Sequence, residues 1–203
     1  MEASKPFYIF PMNGNAMEIL DGMDADLCQG IIDDNAVAEN YFGTPVVPRE
    51  VLKTDDYDVV YALGSETSIG KREEILNSLG IEGRLISVIH SNVSVGRNVE
   101  LGKGSFVMSG VVITSNAILG KCVGVLPNTV IHHDAEIGDF SLVGSNVTIA
   151  GGVKVGKATY IGSGVKIKPG IRIGNNVLIG MGAVVTRDVP DGQTVFGVPA
   201  KSK

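Results

Sequence analysis

The chain has no tryptophan, only two cysteines and three histidines, and aromatic residues at 5% of its 203 positions. Cys28 and Cys122 stand alone, without metal-ligand spacing, so neither a disulfide framework nor a cysteine metal site is expected. No apolar run reaches the ~18 residues needed to cross a bilayer. The opening stretch MEASKPFYIF lacks the basic flank and long apolar segment of a secretory signal. Basic residues are also short: 17 Lys and Arg stand against 22 Asp and Glu, a net charge of −5. That balance argues against a nucleic-acid footprint or an anionic membrane surface. These absences together lead us to expect a soluble, cytoplasmic protein. A hydrophobic content of 44% suffices for a packed core, and this length suits one large domain or two small ones.

What is present falls into two parts with different grammar. Up to residue 88 the chain alternates short apolar runs with helical spacing. PFYIF (6–10), LCQGIIDDN (27–35) and YDVVYALGS (57–65) read as strands, and RLISVIH (84–90) closes the series. AMEILDGM and KREEILNSLG read as helices, the second stopped by Gly80. Strands alternating with helices imply a small parallel sheet of βαβ type.

From residue 89 to 203 a strict period takes over. Starting at Val95 and stepping by six, sixteen consecutive positions to Val185 are Val, Ile or Leu. A small or branched residue follows four places after each, and glycine often follows directly, as at Gly96, Gly120, Gly138 and Gly180. A period of six fits neither helix nor ordinary strand. It fits three short strands per turn of a triangular solenoid, with aliphatic side chains stacked inside and a bend at each corner.

This hexad ladder resembles the left-handed parallel β-helix of hexapeptide-repeat acyltransferases. The closing stretch GNNVLIGMGAVVTRDVPDGQTVFGVPAK is similar to their last coil and tail. With its N-terminal α/β part, the whole chain resembles the sialic-acid O-acetyltransferases and nucleotide-amino-sugar N-acetyltransferases of bacterial surface glycan synthesis. The expected fold is therefore mainly β: a left-handed β-helix (89–203) preceded by a small Rossmann-like α/β domain (1–88).

Coil arithmetic then singles out NTVIHHDAEIGDF (128–140). Residues 18 apart stack one coil above another. Ile131 points inward, so His132, His133 and Asp134 fall at a corner, and the coil above them there carries Ala150, Gly151 and Gly152. A histidine suits general-base work near neutral pH, a neighbouring carboxylate can orient it, and a bare glycine N–H can meet an oxyanion. The family's catalytic histidine follows an aliphatic and one polar residue and precedes an acid, a pattern that Ile131-His132-His133-Asp134 matches. The resemblance implies His133 as base, Asp134 as its orienter and acetyl-CoA as co-substrate. Gly151, Ala158 and Gly162 are expected to line the cofactor, and Arg187, with Lys201 and Lys203, to meet its phosphates.

In the family the α/β part binds the nucleotide of an activated sugar. Asn13, Gly14 and Asn15 occupy its first turn, although Pro11 and Asn15 replace a glycine and a histidine of the family loop. Asp33 and Asp34 correspond to its acidic pair and Arg72 to its R-x-x-I arginine. Leu142 stands where many relatives carry a second histidine.

The expected activity is N-acetylation of a nucleotide-linked 4-amino-4,6-dideoxy sugar by a homotrimer with sites at subunit interfaces. The alternatives are O-acetylation of sialic acid or a related sugar, and an inactive nucleotide-sugar-binding scaffold. A zinc hydratase on the same solenoid needs three converging histidines. His90 lies 42 residues before His132, which is not a whole number of coils, so no metal is expected.

Overall fold

The computed structural model describes residues 5–23, 25–35, 39–54 and 56–202, so Lys203 lies outside the described residues. The N-terminal module contains β1 (Phe7–Phe10), α1 (Gly14–Leu20), β2 (Cys28–Ile32), β3 (Asn40–Tyr41), β4 (Thr44–Val47), β5 (Asp58–Tyr61) and α2 (Arg72–Leu79). Its sheet runs β3-β4-β2-β1-β5, with β1 parallel to both β2 and β5. A parallel strand covered on both faces must be apolar throughout. Phe7, Ile9, Ile31, Ile32, Val59 and Val60 meet that demand, each at most 1% exposed. Asn13 caps α1 by accepting the Ala16 N–H at 2.9 Å. Gly80 ends α2 at φ 64, a left-handed conformation that glycine adopts without steric cost.

Two features differ from expectation. Strands β3 and β4, on one side of the sheet, are additional to the three strands read from the sequence. The stretch 84–90 does not close this sheet: Leu85 only bridges Val59, and Val88–Ile89 pairs with Phe106–Val107. The Val88 and His90 N–H groups donate to Ser105 and Val107 carbonyls, so these residues already belong to the solenoid.

From there the chain winds as a left-handed parallel β-helix. Two-residue strands recur every six residues, and each pairs with the strand 18 residues on, as Val112 with Val130 and Val130 with Thr148. Three faces result. The first contains strands 94–95 through 184–185, the second 100–101 through 172–173, and the third runs from 88–89 to the tail strands 194–196 and 201–202. The module packs on the third face, where Phe106 and Leu142 join Phe7, Ile9 and Ala62 in one apolar cluster.

Fourteen of the sixteen ladder aliphatics are buried inside the prism. Val95 is instead 47% exposed and Leu101 half-buried. Their strands terminate the first and second faces, and no further coil among the described residues lies beneath to cover them. The opposite end is closed by the tail, which adds Val189, Val195 and Ala200 to the core.

Buried hydroxyls tie the coils together. Thr129 donates to the Gly144 carbonyl at 2.7 Å and accepts the Val147 N–H at 3.1 Å. Ser105, Ser141 and Thr159 make the same two bonds to the coil that follows. Each one satisfies polar backbone at a buried corner, where an unpaired group would be costly.

Candidate active site

Strand Val130–Ile131 anchors Ile131 in the core and releases the chain into the edge between the first and second faces. His133 and Asp134 stand on that edge with side chains 66% and 56% exposed. Asp134 has φ 61, the left-handed corner conformation that Asp and Asn tolerate better than other side chains. The turn brings Asp134 Oδ2 within 2.7 Å of His133 Nδ1. A carboxylate only accepts, so Nδ1 holds the hydrogen and a neutral imidazole keeps its lone pair on Nε2. The contact with His133, helped by the Asn116 amide, holds the Asp134 carboxyl below the usual carboxylate range. It is therefore ionised at neutral pH.

Nε2 faces the main chain of the coil above. A Cβ placed on Gly151 would lie 2.6 Å from His133 Nε2 and 2.7 Å from Cε1, well inside contact distance. Glycine at 151 is thus what lets the imidazole lie over this edge. The Gly152 N–H donates to the His133 carbonyl at 2.9 Å. The Gly151 N–H has no protein acceptor among the described residues and is free for a ligand. A base, its fixed tautomer and a free N–H donor within one edge form an arrangement suited to acyl transfer.

Two family models match the solenoid: the bacterial transferase hexapeptide (six repeats) over residues 152–187, and the hexapeptide repeat of succinyl-transferase over residues 92–121. No curated protein matches the chain. Solved structures do. PerB from Caulobacter crescentus, in complex with CoA and GDP-perosamine, is 28% identical, with a TM-score of 0.87 over 100% of this chain and 99% of that one. WeeI from Acinetobacter baumannii AYE is 26% identical, with a TM-score of 0.85 over 98% and 100%. The acetyltransferase domain of PglB from Neisseria gonorrhoeae FA1090, at 24% identity and a TM-score of 0.89 over 98% and 100%, shares the fold. Transferase hexapeptide repeats in the solenoid and whole-chain matches to acetyltransferase structures support an acyltransferase.

The acyltransferase distributes the other expected residues unevenly. Arg187 lies on the His133 edge, 54 residues and so three coils further along. Ala158 falls on the edge between the second and third faces and Gly162 on that between the third and first, each in the turn after its strand. One groove beside His133 in a single chain therefore cannot include them, because successive corners lie on different edges. Lys201 sits in the tail strand 201–202, on the third face.

In the module, Asn13, Gly14, Asn15, Asp33 and Asp34 gather at the carboxyl end of the sheet, where the Met12 N–H meets the Ile32 carbonyl at 2.9 Å. The crevice between β1 and β5, at which the chain reverses direction across the sheet, is where ligands of such sheets bind. The Asn13 and Asn15 amides already donate to the Ala62 and Gly64 carbonyls. Asp34 holds Arg49 through its side chain at 3.0 Å and its N–H at 2.7 Å. Asp33 accepts the Asn35 N–H at 2.9 Å.

Arg72 corrects the reading of it as a substrate residue. It is 0% exposed and donates Nη1 to the Phe140 and Ser141 carbonyls at 2.6 and 3.2 Å. Burial lowers its pKa to about 10, which leaves it protonated at neutral pH. Its role is to pin α2 to a solenoid corner. Leu142 is likewise interior, 2% exposed beneath Gly64 on the third face. From there it cannot reach the His133 edge, which lies between the other two faces.

The sequence reading assigned no role to Asn116, one coil below Asp134, which donates to Asp134 Oδ1 at 3.1 Å. Its signal was the 18-residue spacing itself.

Proposed function

We propose that this acyltransferase transfers the acetyl group of acetyl-CoA to the amine of a nucleotide-linked 4-amino-4,6-dideoxy sugar. The observation that carries this reading is the His133–Asp134 pair, 2.7 Å apart, aimed over the bare main chain of Gly151. The relatives support the substrate class: PerB holds CoA together with GDP-perosamine, and variants of that enzyme with one histidine changed to Asn or Ala hold the same pair. PglB's domain has also been seen with acetyl coenzyme A. Here His133 Nε2 takes a proton from the attacking amine, Asp134 stabilises the imidazolium, and the Gly151 N–H receives the developing oxyanion. CoA leaves as the thiol once the tetrahedral intermediate collapses.

The cofactor runs along the His133 edge toward the tail. Ala150, Gly151, Gly152, Pro169 and Gly170 keep that path low, with Lys168 the one long side chain among these corner positions. Three coils at ~4.8 Å place Arg187 roughly 14 Å above His133. The pantetheine arm, roughly thirteen bonds from sulfur to phosphorus, extends about 15 Å at peptide-like dimensions. Arg187 therefore meets the pyrophosphate when the thioester meets His133.

The acceptor comes from a neighbouring subunit. The module covers the third face, whereas His133 lies on the edge opposite, so one chain cannot bring its own crevice to its own base. A homotrimer pairing each His133 edge with the next subunit's module completes three sites. Acetyl-CoA and nucleotide sugars are both cytoplasmic metabolites, and the product suits bacterial surface glycan synthesis.

A panel of GDP-, UDP-, dTDP- and CMP-linked 4-amino-4,6-dideoxy sugars, assayed with acetyl-CoA for released thiol, tests the reading. One member should give turnover that His133→Ala lowers by roughly 10²–10⁴-fold. No turnover with any member, or full activity in His133→Ala, would reject it. Mixing His133→Ala trimers with a module-defective variant should restore activity only after subunit exchange.

A further inference from the structure

Below Asp134 the same edge carries a row of asparagines, one per coil. Asn98, Asn116 and Asp134 are 18 residues apart and share the left-handed corner conformation, with φ of 55, 60 and 61. Each is hydrogen-bonded to the next: Asn98 Nδ2 donates to Asn116 Oδ1 at 3.2 Å, and Asn116 Nδ2 donates to Asp134 Oδ1 at 3.1 Å. The direction of this row is set by its last member. A carboxylate has no hydrogen to give, so Asn116 must turn its NH₂ upward, which leaves its oxygen to accept from Asn98. The ladder ends on the oxygen of Asp134 that His133 does not use.

We propose that Asn116, itself oriented by Asn98, is a positioning residue for acetyl transfer: it fixes the plane of the Asp134 carboxylate so that Oδ2 stays on His133 Nδ1. The proposal rests on the reading of His133 and Asp134 as base and orienter. The physical need is plain. Asp134 is more than half exposed, and the other charge acting on it, Lys154, belongs to the second face and already pairs with Glu136. Without Asn116 the carboxylate is free to rotate into solvent, and the imidazole loses the partner that holds its tautomer.

Asn116→Gly is the informative variant, because glycine accepts φ 60 and leaves the fold intact. Turnover should fall by roughly 10-fold with the KM of acetyl-CoA and of acceptor unchanged. In an Asp134→Ala background the same substitution should change nothing, since residues acting as one unit are not additive. Equal losses in both backgrounds, or no loss in the wild type, would overturn the proposal. Asn116→Ser, which keeps a short donor, should recover part of the loss. A readout independent of turnover is the proton-NMR signal of the His133 Nδ1–H, assigned with His90→Gln and His132→Gln. Asn116→Gly should weaken that signal by exposing the N–H to solvent exchange, in the direction of Asp134→Asn, and an unchanged signal counts against positioning. If His133→Asn were fully active while Asn116→Gly still weakened the signal, the ladder would stand and the catalytic reading would fall.

Discussion

Gly151→Ala tests the geometry of the edge with a single methyl group. The added Cβ would start 2.6 Å from His133 Nε2, whereas ordinary contact begins near 3.4 Å. The imidazole must therefore retreat by roughly 0.8 Å or swing off Asp134. Displacements near 1 Å in a reacting group cost on the order of 10²-fold in rate, and that is the expected fall in kcat. Stability should move the other way. Residue 151 lies outside the left-handed region, so alanine fits its backbone, and stiffening the unfolded chain is worth about 0.4–1 kcal/mol. The neighbouring substitution supplies the contrast. Gly152 has φ 69 with open space around it, so Gly152→Ala should cost roughly 1–2 kcal/mol of stability while leaving His133 in place. Thiol release and thermal unfolding, measured on both variants, separate the two effects. Near-normal activity in Gly151→Ala, or a loss that merely follows a lower melting temperature, would refute the steric argument.

Thr129→Val removes a hydroxyl buried at 0% exposure that serves both the Gly144 carbonyl and the Val147 N–H. The cost should be about 1–3 kcal/mol, lowering the melting temperature by roughly 2–4 °C per kcal/mol, and Thr129→Ser should be nearly neutral. Arg72→Met should leave the KM for the acceptor unchanged, because the buried guanidinium donates to solenoid carbonyls and lies over the Tyr61 ring; a large rise in that KM would restore Arg72 to the substrate site. The acid limb of the pH–rate profile should report the base and not its orienter. Asp134 is held below the usual carboxylate range, so its charge is present at every pH above that range and is lost only as pH falls through its lowered value. A wild-type limb at carboxylate pH that disappears in Asp134→Asn, in place of one set by an imidazole, would contradict this order.

The solenoid was legible because its signal is redundant: every coil repeats the same inward demand, and fourteen separate burials obey it. Its ends were not. Val95 satisfies the pattern as well as Ile131 does, yet it is exposed because the period says nothing about which coil has no neighbour beneath. In the module, β1, β2 and β5 could be read from apolar runs, whereas β3 spans two residues and β4 includes Pro45, too little pattern to distinguish from a loop. Arg72 misled for a related reason. A charge at a helix start is ordinarily solvated, and only the docking of α2 against Phe140 and Ser141, 68 and 69 residues away, buries it. Contacts between the two parts leave no local period, so the sequence reading could place neither Arg72 nor Leu142.

The same redundancy explains where chemistry can reside in such a chain. Inward positions are committed to the core, and the backbone N–H and carbonyl groups of each strand are committed to the coils above and below. Side chains at the corners and on the outer sides of the strands can vary without breaking the ladder. Across four successive coils the His133 edge reads Arg97-Asn98, Ser115-Asn116, His133-Asp134 and Gly151-Gly152. Each pair contributes something to this edge: Asn98 a donor for an amide, Asn116 a donor for a carboxylate, Asp134 an acceptor for the imidazole beside it, and Gly151 an absent side chain over which that imidazole can lie. None of these residues is adjacent in sequence to its partner in the row below, yet each is one strand spacing away in space. The order of the row is what gives the histidine direction. Exchanging the His133 and Gly151 coils would keep aliphatic side chains facing inward and set Pro169, which has no N–H to give, over Nε2.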